Sequence, residues 1–143
     1  MKEAQEHGWL HDFGITHEEI FRDEQTHRII RHLREQYGDE PEFLWERFPD
    51  NAVFRRKDNA KWYAILLTVR SNKLGLGGDE RMEILDIRAD AETQARLLDY
   101  NGYFPGYHMN KRNWLTVRLD GGVPFDEIAP LIARSYELAA KKK

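Results

Sequence analysis

Apolar residues recur along this chain with two different periods, and the change of period divides it into elements. Ile20, Phe21, Ile29, Ile30, Leu33 and Tyr37 fall at roughly helical spacing with Arg and Glu between them, which predicts an amphipathic helix. Thr16 stands three residues before Glu19, the spacing of a capping box, so the helix is expected to start there and to stop at Gly38. A short second helix is expected from Pro41, a favourable first-turn residue, through Glu42 to Glu46, with a break at Pro49.

From Ala52 the period shortens. Val53 and Phe54 lead into Arg55-Arg56-Lys57, Asp58-Asn59 is a turn pair, and Trp62 to Val69 is rich in strand formers, which together predict a β-hairpin. Alternation places Trp62, Ala64, Leu66 and Thr68 on one face and Tyr63, Ile65, Leu67 and Val69 on the other, so this strand should be central and covered on both sides. Ser71 to Glu80, with three glycines, reads as a loop, and Met82 to Arg88 as a third strand. A helix capped by Asp90 should run through Leu97 and Leu98 to Asn101-Gly102. Tyr103 to Arg112 is expected to be a loop or a single turn, and Asn113 to Leu119 a fourth strand closed by Asp120-Gly121-Gly122. The last helix starts at Pro124 and carries the stripe Phe125, Ile128, Ile132 and Tyr136, with Lys141 to Lys143 at its negative end. Pro130 removes one amide from it, and a kink or a restart is expected there.

The order of elements implies one compact α+β domain, a mainly antiparallel sheet of about four strands flanked by helices, spanning residues 16–143 behind an N-terminal arm at 1–15. Composition supports this: 143 residues, 41% hydrophobic and with 17 aromatics, are enough for a sizeable core. The absence of cysteine removes disulfides, thiolate metal sites and a Cys nucleophile. No apolar run reaches the length of a membrane span and no secretory h-region is visible, so a cytoplasmic protein without a membrane partner is expected.

Net charge is −3, but its distribution is uneven. Residues 1–50 carry 6 basic and 13 acidic side chains, and residues 51–143 carry 16 basic and 12 acidic. Between Asn51 and Lys73 there are six basic residues against one acid, Asp58, interleaved with Phe54, Trp62 and Tyr63. A basic β-ribbon of this kind suits nucleic-acid phosphates, which nominates Arg55, Arg56, Lys57 and Lys61; an edge hairpin protected by charge explains it as well. The second concentration of chemistry is Phe104 to Trp114. There Pro105-Gly106 makes a turn, His108, Asn110, Lys111 and Arg112 offer donors to an anion, and Tyr107 and Trp114 can stack a ring or fill a core.

Other signals are weak. Lys73 to Gly78 is glycine-rich but matches no phosphate-loop pattern, and His7 and His11 have metal-pair spacing without a third ligand. No serine has a nucleophile's context, so neither catalytic residues nor a cofactor are expected, and the chain reads as a non-enzyme.

Pro105 to Lys111, Trp114, the run Leu119-Asp120-Gly121-Gly122-Val123-Pro124 and Ser135 to Leu138 resemble the signature of the MmcQ/YjbR family. Pro41 to Trp45, Ala52 to Arg55, Asp58 to Tyr63 and Leu74 to Leu76 are similar to a longer-headed branch of it, and Asn113 stands where many relatives have His. The resemblance implies a compact domain similar to the double-wing DNA-binding and frataxin-like folds, with DNA as partner and no catalytic set. Two functions are therefore carried forward. One is a DNA-binding module that contacts phosphates through the basic hairpin and the 106–111 loop. The other is a protein- or small-anion-binding domain with a pocket around residues 107–114.

Overall fold

The structure is a computed structural model, and it describes residues 20–140. The N-terminal arm, the expected capping box at Thr16 and Glu19, and Lys141 to Lys143 lie outside the described residues. Helix α1 spans Glu24–Tyr37, β1 Ala52–Arg55, β2 Trp62–Arg70, β3 Arg81–Arg88, α2 Ala91–Leu97, β4 Tyr103–Pro105, β5 Trp114–Arg118 and α3 Phe125–Ala140. The strands form one sheet in the order β1-β2-β3-β5-β4, and every pairing is antiparallel.

Several expectations hold for the reasons that motivated them. Gly38 ends α1 in the left-handed conformation (φ 70°), where its N–H donates to the Arg34 carbonyl at 2.9 Å. Asp90 caps α2 by accepting from the Thr93 amide at 3.0 Å. β2 is central, and both of its faces are covered.

Five expectations are corrected. Helix α1 starts at Glu24, because Phe21 to Asp23 are non-helical. The segment that leads into it is held from across the fold: the buried Glu83 carboxylate on β3 accepts from Arg22 N–H (2.6 Å), Asp23 N–H (3.2 Å) and the Thr26 hydroxyl (2.6 Å). The segment after Pro41 is not helical: its start runs beside β1 and two successive turns follow, with Phe48 N–H donating to the Trp45 carbonyl (3.1 Å) and Asn51 N–H to the Phe48 carbonyl (3.1 Å). Glu42 forms an antiparallel bridge with Val53, with N–H to carbonyl distances of 2.9 and 3.0 Å, which sends Phe43 to one face of the sheet and Leu44 and Trp45 to the other.

Tyr103 to Pro105 is a fifth strand, a short edge paired with β5. Helix α3 runs through Pro130 without the restart, buried Ile128 and Ile132 lying on either side of the proline. Finally, a β-bulge sets Arg55 opposite Trp62 and Phe54 opposite Ala64, leaving Tyr63 without a partner. That extra residue exchanges the faces of Trp62 and Tyr63 relative to simple alternation. The bulge is pinned from α3, where the Ser135 hydroxyl donates to the Tyr63 carbonyl (2.6 Å) and accepts from the Arg88 amide (2.8 Å).

The two faces of the sheet are covered differently. Phe54, Tyr63, Leu66, Leu85, Ile87, Leu115 and Val117 pack with Ile29, Ile30 and Leu33 of α1 and Ile128 and Ile132 of α3 in the main core. Val53, Ile65, Leu67, Met82, Ile84 and Trp114 form a second apolar cluster on the opposite face. That cluster is covered by non-helical segments, through Leu44, Trp45, Leu74, Leu76, Tyr107 and Met109.

Candidate functional site

The basic hairpin is built into the fold. Arg55 forks the Glu42 carboxylate, with Nε at 3.0 and 3.1 Å from its two oxygens. Arg56 lies over the Tyr136 ring at 4.0 Å, donates to the Tyr136 carbonyl at 2.9 Å and pairs with Asp58. Lys57 donates to the carbonyls of Tyr37 (3.2 Å) and Gly38 (2.6 Å) and pairs with Asp39, so it serves as a cationic cap at the negative end of α1. Lys61 is half-buried beyond the turn, and its amide donates to the Asn59 side chain at 2.9 Å. Three of the four nominated cations thus tie β1 and its turn to the neighbouring segments.

The 106–111 loop is also folded by its own residues. A Cβ on Gly106 would lie 2.8 Å from Cβ and 2.9 Å from the carbonyl oxygen of Trp114, so only glycine permits this approach. The Gly106 amide donates to the Trp114 carbonyl (3.1 Å), and the Lys111 ammonium turns back to the Gly106 carbonyl (2.9 Å). Asn110 closes the turn, its side chain accepting from Arg112 N–H at 2.8 Å and its carbonyl from Trp114 N–H at 3.0 Å. His108 takes a left-handed backbone (φ 62°), with its ring 4.1 Å from that of Tyr107. Arg112 is exposed, and its carbonyl accepts from the Gln94 side chain at 2.9 Å. Trp114 is core, buried in the second cluster with the Arg88 guanidinium 4.9 Å above its ring. The eight nominated polar residues therefore do not converge on one point: Asn110 and Lys111 face the loop itself, and of the eight only His108 reaches the cavity described next.

Beneath the loop lies a buried carboxyl that the pattern of the sequence did not single out. Asp86, on β3, is fully buried; the Thr116 hydroxyl donates to its Oδ1, and Thr116 in turn accepts from Tyr107 N–H at 2.8 Å. Its Oδ2 has no hydrogen-bond partner among the described residues. Burial pushes Asp86 up to about 7, against the opposing pull of the Thr116 hydrogen bond and the Lys111 charge.

A cavity of about 510 Å³ opens on the second face of the sheet. Its floor is Ile65, Leu67 and Val69, successive same-face residues of β2. One wall is the pair of turns that follows the Glu42 bridge, with Trp45, Phe48 and Asn51; the other is Tyr107, His108 and Met109 from the loop. Trp62, brought to this face by the bulge, meets Trp45 edge-on, with ring centroids 6.0 Å apart at 88°. Arg70 and Lys73 stand at the far end of β2. Phe48 remains 57% exposed at the rim, a large apolar surface left uncovered.

Of the pocket residues expected from sequence, Tyr107 and His108 line this cavity and Trp114 does not. Met109, inside the expected 107–114 stretch, also lines it; Trp45, Phe48, Val69, Arg70 and Lys73 were missed. For Trp45 and Phe48 the signal was the cluster Phe43, Leu44, Trp45 and Phe48, which reads as a cavity wall only once the segment is not taken as a helix. Among the described residues no cluster of His, Asp or Glu is placed to hold a metal ion, and no helix is long and apolar enough to cross a membrane.

Comparison with known proteins bears on the same residues. The family model described as YjbR matches residues 34–138, which takes in both cavity walls and all five strands. A Bacillus subtilis (strain 168) protein, Uncharacterized protein YyaQ, is 37% identical over 110 residues, covering 77% of this chain and 93% of that protein. The crystal structure of a Pseudomonas syringae protein superimposes with a TM-score of 0.76 at 40% identity, over 79% of this chain and 97% of the other. A Deinococcus radiodurans protein with a DUF419 domain gives 0.62 at 27% identity, over 82% and 80%.

Proposed function

The chain belongs to the YjbR family, and from that premise and the geometry of its second sheet face we propose that it is a non-enzymatic domain that binds a small molecule in the cavity along β2. The supporting observation is the cavity itself. It is roomy and mainly apolar, walled by aromatic side chains, and bounded by a loop whose shape Gly106, Asn110 and Lys111 enforce. These loop residues, a prominent part of the family-like signature, act by positioning Tyr107 and His108 at the cavity; they do not themselves meet the ligand.

DNA binding, the other function expected from the resemblance, draws less support. Arg55, Arg56 and Lys57 would each have to exchange an internal partner for a phosphate. The test is a thermal-shift screen of apolar and amphipathic small molecules, with a DNA duplex at low salt as the competing probe. A ligand-induced rise in Tm that a Val69→Trp substitution abolishes supports the cavity. Salt-sensitive duplex affinity, lost on substituting Arg56, Lys57 and Lys61 and accompanied by no small-molecule shift, would put DNA in its place.

A further inference from the structure

The distribution of chemistry along the cavity narrows what it can hold. Trp62 opens β2 and Arg70 closes it, and at roughly 3.3 Å per residue the two ends stand on the order of 26 Å apart. A volume of about 510 Å³ spread over that length is a narrow, open-sided channel, suited to a chain more than to a broad ring system. Between its ends the floor is continuous aliphatic surface from Ile65 to Val69. Its two cations stand together at one end of β2. Arg70 and Lys73 are both exposed there, and among the described residues Arg70 is held only by a 3.3 Å hydrogen bond to the Asp79 carbonyl and Asp50 is the one acid in the lining. The opposite end is aromatic, with the Trp45 and Trp62 rings set edge to face.

We propose that the ligand is an elongated amphipathic anion, a chain carboxylate free in solution, with its head between Arg70 and Lys73 and its tail running over Leu67 and Ile65 toward Trp45 and Trp62. This assignment rests on the cavity being a binding site. An unbranched tail matches a floor made of alternate residues from a single strand, because each methylene meets apolar surface without requiring a branch point in the wall. A carboxylate head matches one guanidinium and one ammonium at the mouth, where both ions stay partly solvated and no buried charge is left unpaired. A cationic head meets the wrong sign at that end. A neutral head gains nothing from Arg70 or Lys73.

The experiment is a fluorescence titration of the full chain, reading Trp emission, with hexanoate, octanoate, decanoate, decanol and decyltrimethylammonium, all below their aggregation limits. Each added methylene should tighten carboxylate binding about fourfold. Decanoate should bind about tenfold more tightly than decanol, and the double substitution Arg70→Ala, Lys73→Ala should bring decanoate down to decanol while leaving decanol unchanged. Val69→Trp, checked for an unchanged fold by circular dichroism, should remove binding of every probe.

Equal binding of decanol and decanoate, with both lost in Val69→Trp, would overturn the anionic head and leave the cavity reading intact. Tightest binding of the trimethylammonium probe would also overturn it. Preference for phosphatidylglycerol vesicles over the free acids, read by co-sedimentation, would replace the free chain by a membrane surface. If no probe changes the emission, and gel filtration shows a dimer that Trp45→Ala dissociates, a second copy fills the groove and the small-molecule reading fails with this one.

Discussion

One sheet presents two apolar faces, and they differ in what covers them. Helices α1 and α3 lie on the first face, where Ile29, Ile30, Leu33, Ile128 and Ile132 are fully buried against Leu66, Leu85 and Ile87. On the second face the cover consists of the non-helical segment after Glu42, a short turn and the 106–111 loop. A helix delivers a dense stripe of side chains every turn, whereas a loop must spend many of its groups on its own backbone hydrogen bonds. Gly106, Asn110 and Lys111 do this here. The second face is consequently under-filled, and the space left over is the cavity. The contrast points to stability residing in the first face and binding in the second.

The sharpest way to break this comparison is a matched truncation on the two sides of β2. Leu66→Ala, in the helix-covered core, should lose about 2–5 kcal/mol in denaturant unfolding. Leu67→Ala, on the cavity floor, should lose clearly less, because its removal enlarges an existing space that water already reaches, and it should weaken ligand binding instead. Equal losses would mean that the second face is packed like the first.

Next in size are the groups that set the geometry of the second face. Ser135→Ala removes the pin on the bulge and leaves the Tyr63 carbonyl and the Arg88 amide unsatisfied, for an expected loss of about 1–3 kcal/mol in the same assay. Gly106→Ala drives a methyl group into Trp114 and should cost a similar amount, about 1–3 kcal/mol, while Tyr107 and His108 are displaced from the cavity.

A third effect depends on pH. Asp86 is held near 7 by burial, well above the ordinary carboxylate value of about 3.9, so the folded protein binds a proton that the unfolded chain has released. Its contribution to stability is fully present below pH ~4 and is lost as pH rises through about 7, with a slope of up to about 1.4 kcal/mol per pH unit between. Stability should therefore fall from pH 5 to pH 8 more steeply in the native chain than in Asp86→Asn, as read by Tm; parallel profiles would remove Asp86 as the source. The smallest effect is expected at the turn, where exposed Asp58→Ala should leave the denaturant midpoint nearly unchanged, because a solvated ion pair is screened by water.

How far the fold was visible in the sequence follows from the range of each interaction. Helix α3, the Asp90 cap, the Gly38 stop and the hairpin all rest on residues within a few positions of one another, and each was readable. The break before α1 was not, because the carboxylate that holds Arg22, Asp23 and Thr26, Glu83, is about sixty residues away on β3. Pro41 to Phe48 has the composition of a short amphipathic helix, and the Glu42–Val53 bridge, reinforced by the Glu42–Arg55 ion pair, draws its start along β1 instead. The bulge at Tyr63 is invisible to a period-two pattern, yet it decides which face receives Trp62. The site was half legible for the same reason. Tyr107 and His108 belong to a conspicuous segment, whereas the partners that complete the cavity come from β2 and from a wall whose conformation depends on long-range pairing.

The most direct measurement is backbone amide NMR shift mapping of the full chain during a decanoate titration. Expected are saturable shifts confined to Trp45 to Asn51, to β2 from Ile65 to Arg70, to Lys73 and to Tyr107 to Met109, with the hairpin turn from Arg56 to Lys61 unmoved. Shifts centred on that turn, or none along β2 at concentrations that raise Tm, would contradict a binding cavity on the second face.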